Sequence, residues 1–156
     1  STNLIGNTVV ELLAHPDQLQ ILLDDPSLLP GAVDEANRLT TPIQINFREA
    51  LEDVEVGGTT IPKGAIIVLH LAAANRDPGQ FEDPDRFWVE RPRERSLAFG
   101  HGIHFCLGAH LALQEVSSAI GKLAPHLPGL RLADEPLVSN PSVILNGWQK
   151  VELVRV

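Results

Sequence analysis

Phe99-Gly100-His101-Gly102-Ile103-His104-Phe105-Cys106-Leu107-Gly108 contains the single cysteine of a 156-residue chain. Two glycines precede that cysteine, a third follows two residues later, and a stretch of helical apolar spacing, residues 107–123, begins there. Each feature has a use if the sulfur ligates a metal. A thiolate at the amino end of a helix is stabilised by the helix dipole and by first-turn N–H groups that lack partners. Donation from such N–H groups tunes how strongly a sulfur pushes electron density onto a metal. Gly100 and Gly102 allow a tight turn and let the backbone lie against a flat ligand without a side-chain clash. Phe99 and Phe105 are placed to keep water from the sulfur. Two other readings use the same residues. Cys106 can be a buried small hydrophobe beside a glycine-rich turn, or it can join His101, His104 and His110 around zinc. Zinc is the weaker of these, because the four residues bunch on one loop instead of forming separated ligand couples.

The bulk numbers set limits. Hydrophobic residues make up 44% and charged residues 21%, the proportions of an ordinary globular domain. A formal net charge of -8 argues against nucleic acid as a partner, since phosphate binding needs clustered Lys and Arg. No apolar run approaches the roughly 20 residues that span a bilayer. The opening residues lack the basic, apolar, small-residue succession of a signal peptide. One cysteine forms no internal disulfide. A cytoplasmic placement without membrane contact is expected. Neither an internal repeat nor a low-complexity tract is present.

Along the chain, residues 1–14 carry Leu4, Ile5, Thr8, Val9, Leu12 and Leu13 at helical spacing. Pro16 suits the first turn of a second helix that ends before Pro26, and Pro30 opens a third over about residues 31–38. After Pro42 the period changes to two. Ile43-Gln44-Ile45-Asn46-Phe47 predicts a strand, Gly57-Gly58 a hairpin turn between Val54-Glu55-Val56 and Thr59-Thr60-Ile61, and residues 66–69 a further strand. Residues 75–99 are dense in Pro, Asp and Arg and lack periodicity, as a long functional loop does. A final hairpin is expected around Asn146-Gly147, between Val143-Ile144-Leu145 and residues 151–156. The fold class expected is α+β, mostly helical. It has a small antiparallel sheet, a long meandering loop, the cysteine loop and a following helix, all in one partial domain over residues 1–156.

The cysteine run resembles the haem-ligand signature of the cytochrome P-450 family, Phe-x-x-Gly-x-x-x-Cys-x-Gly, with Phe99, Gly102, Cys106 and Gly108 in its fixed places. The resemblance implies a bacterial-type haem-thiolate monooxygenase. Its cofactor would be haem b (iron protoporphyrin IX), and it would insert one oxygen atom into a small organic substrate. Electrons would come from NAD(P)H through a ferredoxin-type donor. Cys106 would be the axial iron ligand, within a cofactor-binding set of Arg48, Phe99, Gly100, His101, Gly102, His104, Cys106 and Gly108. His104 stands where family members place a basic residue against a haem propionate. Arg48, and more weakly His101, would do the same, because carboxylates in an apolar slot need charge-assisted partners. Glu35 and Arg38, three apart on a helix, resemble the family's Glu-x-x-Arg pair, which an arginine from the later loop joins in a buried charge network that locks the core. Arg86 in Pro84-Asp85-Arg86-Phe87 is the first choice for that third member and Arg91 the second. By themselves, Glu35 and Arg38 read as an exposed ion pair worth about 0.3 kcal/mol.

Ala72-Ala73-Ala74-Asn75-Arg76-Asp77-Pro78 and Phe81-Glu82-Asp83-Pro84 are also similar to family segments. Residues 43–46 and Asn146-Gly147-Trp148 would border the substrate pocket. Arg86, Arg91, Arg93 and Arg95 could present positive charge to an acidic electron donor, although Glu82, Asp83, Asp85, Glu90 and Glu94 interleave with them. The chain departs from the family pattern at Asn37, where an apolar residue is commoner, and at Leu113, where Arg is common. Ser1-Thr2-Asn3-Leu4-Ile5-Gly6-Asn7 resembles the second half of the long helix over the distal haem face. That alignment puts the acid and alcohol groups for proton delivery before Ser1, so no catalytic residue falls within the chain. The opening helix is then expected to expose an apolar face to a missing amino-terminal half, and haem held by this chain alone is expected to be weak and uncoupled. The rival reading is a catalytically incompetent remnant or interaction domain that keeps the fold without haem.

Overall fold

A computed structural model describes residues 1–92 and 96–156. Three helices lead the chain: α1 (Thr2–Ala14), α2 (Pro16–Asp24) and α3 (Leu29–Thr40). Pro16 sits at the start of α2, where a missing N–H costs nothing, and Asp17 follows it in the first turn. The helix α5 (Ala109–Leu123) returns to pack against α1 and α3. Their meeting faces make the core: Leu4, Val9 and Leu12 from α1, Ala32, Val33, Ala36 and Leu39 from α3, and Val116 and Ile120 from α5. Leu19 and Leu22 of α2, Phe87 and Val89 of the long loop, and Leu127 complete it.

This packing corrects the expectation for the opening helix. Leu4, Val9 and Leu12 of α1 are buried, and Ile5, Val10 and Leu13 are half-buried. Exposed apolar surface lies instead on the cysteine loop and on the strands that follow α3. There, β1 (Ile45–Glu49) pairs antiparallel with β4 (Ile66–His70), and between them β2 (Val54–Val56) and β3 (Thr59–Ile61) form their own hairpin. Phe47 faces Val68 across the ladder, and both are exposed. The opposite face of β1 carries Asn46 and Arg48. A short helix α4 (Leu71–Ala74) then leads into the long loop, which has bends and turns but no further strand among the described residues.

The carboxyl end differs from the expected hairpin. The last strand, β6 (Leu153–Arg155), pairs with β5 (Leu130–Leu132), a partner distant in sequence. The Asn146-Gly147 turn closes a wider, irregular loop in which Ser139 bridges to Trp148 and Leu145 bridges to Ile43. Close approach explains Gly147, since a Cβ there would lie 2.7 Å from Cγ of Asn3 on α1. No helix among the described residues is long and apolar enough to cross a membrane.

Two outcomes follow. Leu12 is fully buried, so Leu12→Ala should lower the unfolding free energy by about 2–5 kcal/mol in a denaturant titration. Burial pushes the Glu11 carboxyl above its ordinary value of 4.5, against the opposing pull of His15 and Arg76 and with help from Glu35. The folded state therefore holds that proton more tightly than the unfolded chain does. The contribution of Glu11 is fully present below pH 4.5 and is lost as pH rises through the folded value. Stability measured across this window should fall in the native chain, and Glu11→Gln should flatten that part of the curve.

Candidate haem-ligand site

Cys106 is exposed. Its backbone N–H donates to the Phe99 carbonyl at 2.8 Å, which closes the loop on itself. Inside the closure Gly100 (φ +74°) and Gly102 (φ +65°) take left-handed backbone that side chains disfavour. A short 3-10 turn, Gly102–His104, follows, and α5 begins at Ala109 with Gly108 before it. The helix thus starts later than the expected residue 107. The Phe99 and Phe105 rings pack on each other, centroids 6.3 Å apart, and do not cover the sulfur as expected.

Cys106 opens onto a cavity of about 360 Å³. Phe99, Gly100 and His104 line it from the cysteine loop, and Leu4, Pro42, Ile43 and Leu71 supply apolar wall. Asn46 also lines it, and Arg48 lies two residues along the same strand face. The Arg48 guanidinium donates to its own Phe47 carbonyl at 2.6 Å. His101, Gly102 and Gly108 stand outside this lining, on exposed positions. Among the described residues no group of three or more His, Cys, Asp or Glu is arranged to hold a metal ion by itself. An exposed cysteine, an apolar wall, an imidazole in the lining and an arginine on the neighbouring strand suit a flat, largely apolar ligand with acidic edges. The residues present fit haem.

Behind the loop lies the charge network. Glu35 and Arg38, which read by themselves as an exposed ion pair, have side chains only 3% exposed, as the buried network of the resemblance implies. Arg38 Nε and Nη2 donate to the two carboxylate oxygens of Glu35 at 2.7 and 2.9 Å, a bidentate pair. The third member is Arg91, not Arg86: Arg91 Nε donates to Glu35 Oε1 at 2.9 Å from a side chain only 6% exposed. Arg86 contributes its backbone carbonyl, which accepts from Arg91 Nη2 at 3.0 Å. Its own guanidinium is exposed and lies over the Trp88 ring, 5.5 Å from the centroid. The chain turns between residues 86 and 91 so that Phe87 and Val89 enter the core. That turn aims the later arginine inward.

Because Arg91 is buried, it is not available to an acidic partner. Arg93, Glu94 and Arg95 lie outside the described residues. Asn75, from the family-like run 72–78, is fully buried and holds the long loop in place. Its Nδ2 donates to Thr41 Oγ1 at 2.9 Å, its Oδ1 accepts from the Leu97 N–H at 2.6 Å, and its carbonyl accepts from Arg38 Nη1 at 2.7 Å.

The model of one family, Cytochrome P450, matches residues 22–124, more than half of the chain. The chain belongs to the cytochrome P450 family. It is 47% identical over 154 residues to Cytochrome P450 107B1 of Saccharopolyspora erythraea, covering 97% of this chain and 38% of that protein. It is 46% identical over 155 residues to the Vitamin D(3) 25-hydroxylase of Pseudonocardia autotrophica, with the same coverage on both sides. Among solved structures it superimposes on P450BioI, crystallised with an acyl carrier protein carrying hexadec-9Z-enoic acid, with a TM-score of 0.94 and 41% identity. That match covers 99% of this chain and 40% of the other. The P450 monooxygenase TamI bound to tirandamycin C gives a TM-score of 0.92 at 44% identity, over 97% of this chain and 39% of TamI. The chain therefore spans about two-fifths of the length of these relatives, and its α+β architecture is the carboxyl-terminal part of the P450 fold.

The network of this P450 chain separates its two candidate arginines. Removing one partner from a buried ion pair costs about 3–5 kcal/mol, whereas an exposed cation–π contact contributes about 0.5–1 kcal/mol. Arg91→Ala should lower unfolding free energy by the larger amount and Arg86→Ala by the smaller. Equal effects in urea titrations would show that Arg91 does not brace the fold.

Proposed function

We propose that the protein containing this chain is a haem-thiolate monooxygenase in which Cys106 is the axial ligand of iron. The observation that carries this reading is the exposed sulfur at the mouth of an apolar cavity, on a loop closed by the Cys106-to-Phe99 hydrogen bond. Haem, when bound, supplies the reductive activation of molecular oxygen and the transfer of one oxygen atom to an organic substrate.

This chain's residues then have distinct tasks. Cys106 supplies the sulfur, and the left-handed Gly100 and Gly102 keep the approach to it free of side chains. His104 at the cavity wall and Arg48 on the face of Asn46 would pair with haem carboxylates. Arg48 must first leave the Phe47 carbonyl, and the solvent exposure of that hydrogen bond permits it. Residues 43–46 would border the substrate, together with the loop whose Leu145 bridges to Ile43. The substrate class is an organic molecule with substantial apolar surface, matching the walls from Leu4, Pro42, Ile43 and Leu71. Electrons would reach the site from NAD(P)H through a separate, ferredoxin-type donor. Glu35, Arg38 and Arg91 take no part in chemistry, because their charges pair with one another behind the loop they support.

The decisive measurement is the absorption spectrum of the full-length protein after reduction and treatment with carbon monoxide. A strongly red-shifted Soret band is expected, and Cys106→Ala should abolish it while far-ultraviolet circular dichroism stays native. A folded protein without any Soret band would leave the haem-free remnant as the correct reading.

A further inference from the structure

Asn37 lies on α3 between Glu35 and Arg38 and is only 4% exposed. It lines the cavity that holds Cys106, and it also lines a second cavity of about 160 Å³ bounded by Glu35, Arg38 and Arg91. Asn37 and Phe99 are the two residues shared by both linings, so together they form the partition between them. The Asn37 backbone carbonyl accepts from the Thr41 N–H at 2.9 Å. Its side-chain amide has no hydrogen-bond partner among the described residues, yet no buried nitrogen or oxygen there is both sealed and unpartnered. The amide therefore opens onto the cavities. Buried amides are almost always hydrogen-bonded, and a water needs on the order of 10–15 Å³. The second cavity exceeds that about tenfold.

We propose that Asn37 holds ordered water in this partition, and that the polar wall so formed raises the reduction potential of iron carried by Cys106. Asn37 is then a positioning residue, and the inference rests on the haem reading above. Its route to the ligand is short, because Phe99, the other half of the partition, accepts the Cys106 N–H through its carbonyl at 2.8 Å. One-electron reduction of a thiolate-ligated haem adds negative charge next to this wall. Dipoles that can turn toward that charge favour the reduced state, as polar surroundings do around other ligand sulfurs.

The test uses the full-length, haem-loaded protein. A crystal structure resolving ordered solvent should show water within about 2.7–3.2 Å of the Asn37 amide. A dry amide, or one bonded to residues 93–95, overturns the proposal. Asn37→Leu, close in volume but apolar, should lower the ferrous-to-ferric ratio at fixed applied potential by about threefold. That corresponds to roughly 30 mV, at 59 mV per tenfold for one electron. Asn37→Ser, which keeps a polar anchor, should move it less than half as far. A leucine variant at the native potential, or a serine variant displaced equally, overturns the proposal. If the leucine variant does not take up haem, the native solvent structure decides by itself. Absence of the red-shifted carbon monoxide band from the native protein sinks the haem reading, whereas a normal band with an unmoved potential sinks this inference alone.

Discussion

One buried carboxylate organises this chain. Glu35 receives two guanidinium groups, Arg38 from its own helix and Arg91 from 56 residues further on, together with the Trp88 N–H at 3.2 Å. A carboxylate in such a place is costly without partners, and so are the two arginines. The remaining donors are satisfied by backbone carbonyls. Arg38 reaches those of Asn75 and Pro84, and Arg91 reaches those of Glu82, Asp83 and Arg86. A loop without regular hydrogen-bonded ladders thus acquires a fixed course, because its carbonyls are the acceptors of a buried cationic pair.

The cavity inherits its walls from that arrangement. Asn75 links the long loop to the end of α3 through Thr41, and to Leu97, just before the cysteine loop begins. Thr41 itself has a φ of +39°, rare for a β-branched residue, and its hydroxyl donates to the Arg38 carbonyl at 2.7 Å. This turn sends the chain through Pro42 to Ile43 and Asn46, which line the cavity. From the carboxyl side, the Asn146 side chain donates to the Thr40 carbonyl, and its own carbonyl accepts from Asn7 Nδ2 at 3.2 Å. Helix end, strand and terminal loop therefore meet at one edge.

The two sides of the cysteine loop differ in kind. Behind it are paired, mostly buried charges and hydrogen-bonded backbone. In front are an exposed sulfur, Phe105 at 49% exposure and Leu107 fully exposed. Rigid polar support behind an open apolar face is what a site needs to hold a large flat ligand in one orientation while leaving its surface accessible.

By itself the sequence determined the cysteine loop, the three opening helices, the helix after the cysteine and the Gly57-Gly58 hairpin, because these depend on local chemistry. Left-handed glycines, proline at a helix start and a two-residue turn act over a few residues. It also determined that Glu35 and Arg38 share a helix face. Tertiary structure alone decided that Arg91 and not Arg86 completes the Glu35–Arg38 network, and that β6 pairs with β5 instead of folding back in a hairpin. These choices depend on which side chain a non-periodic loop turns inward and on which distant strand edge is free. No spacing along the chain encodes either one, since burial and long-range pairing are properties of the packed whole.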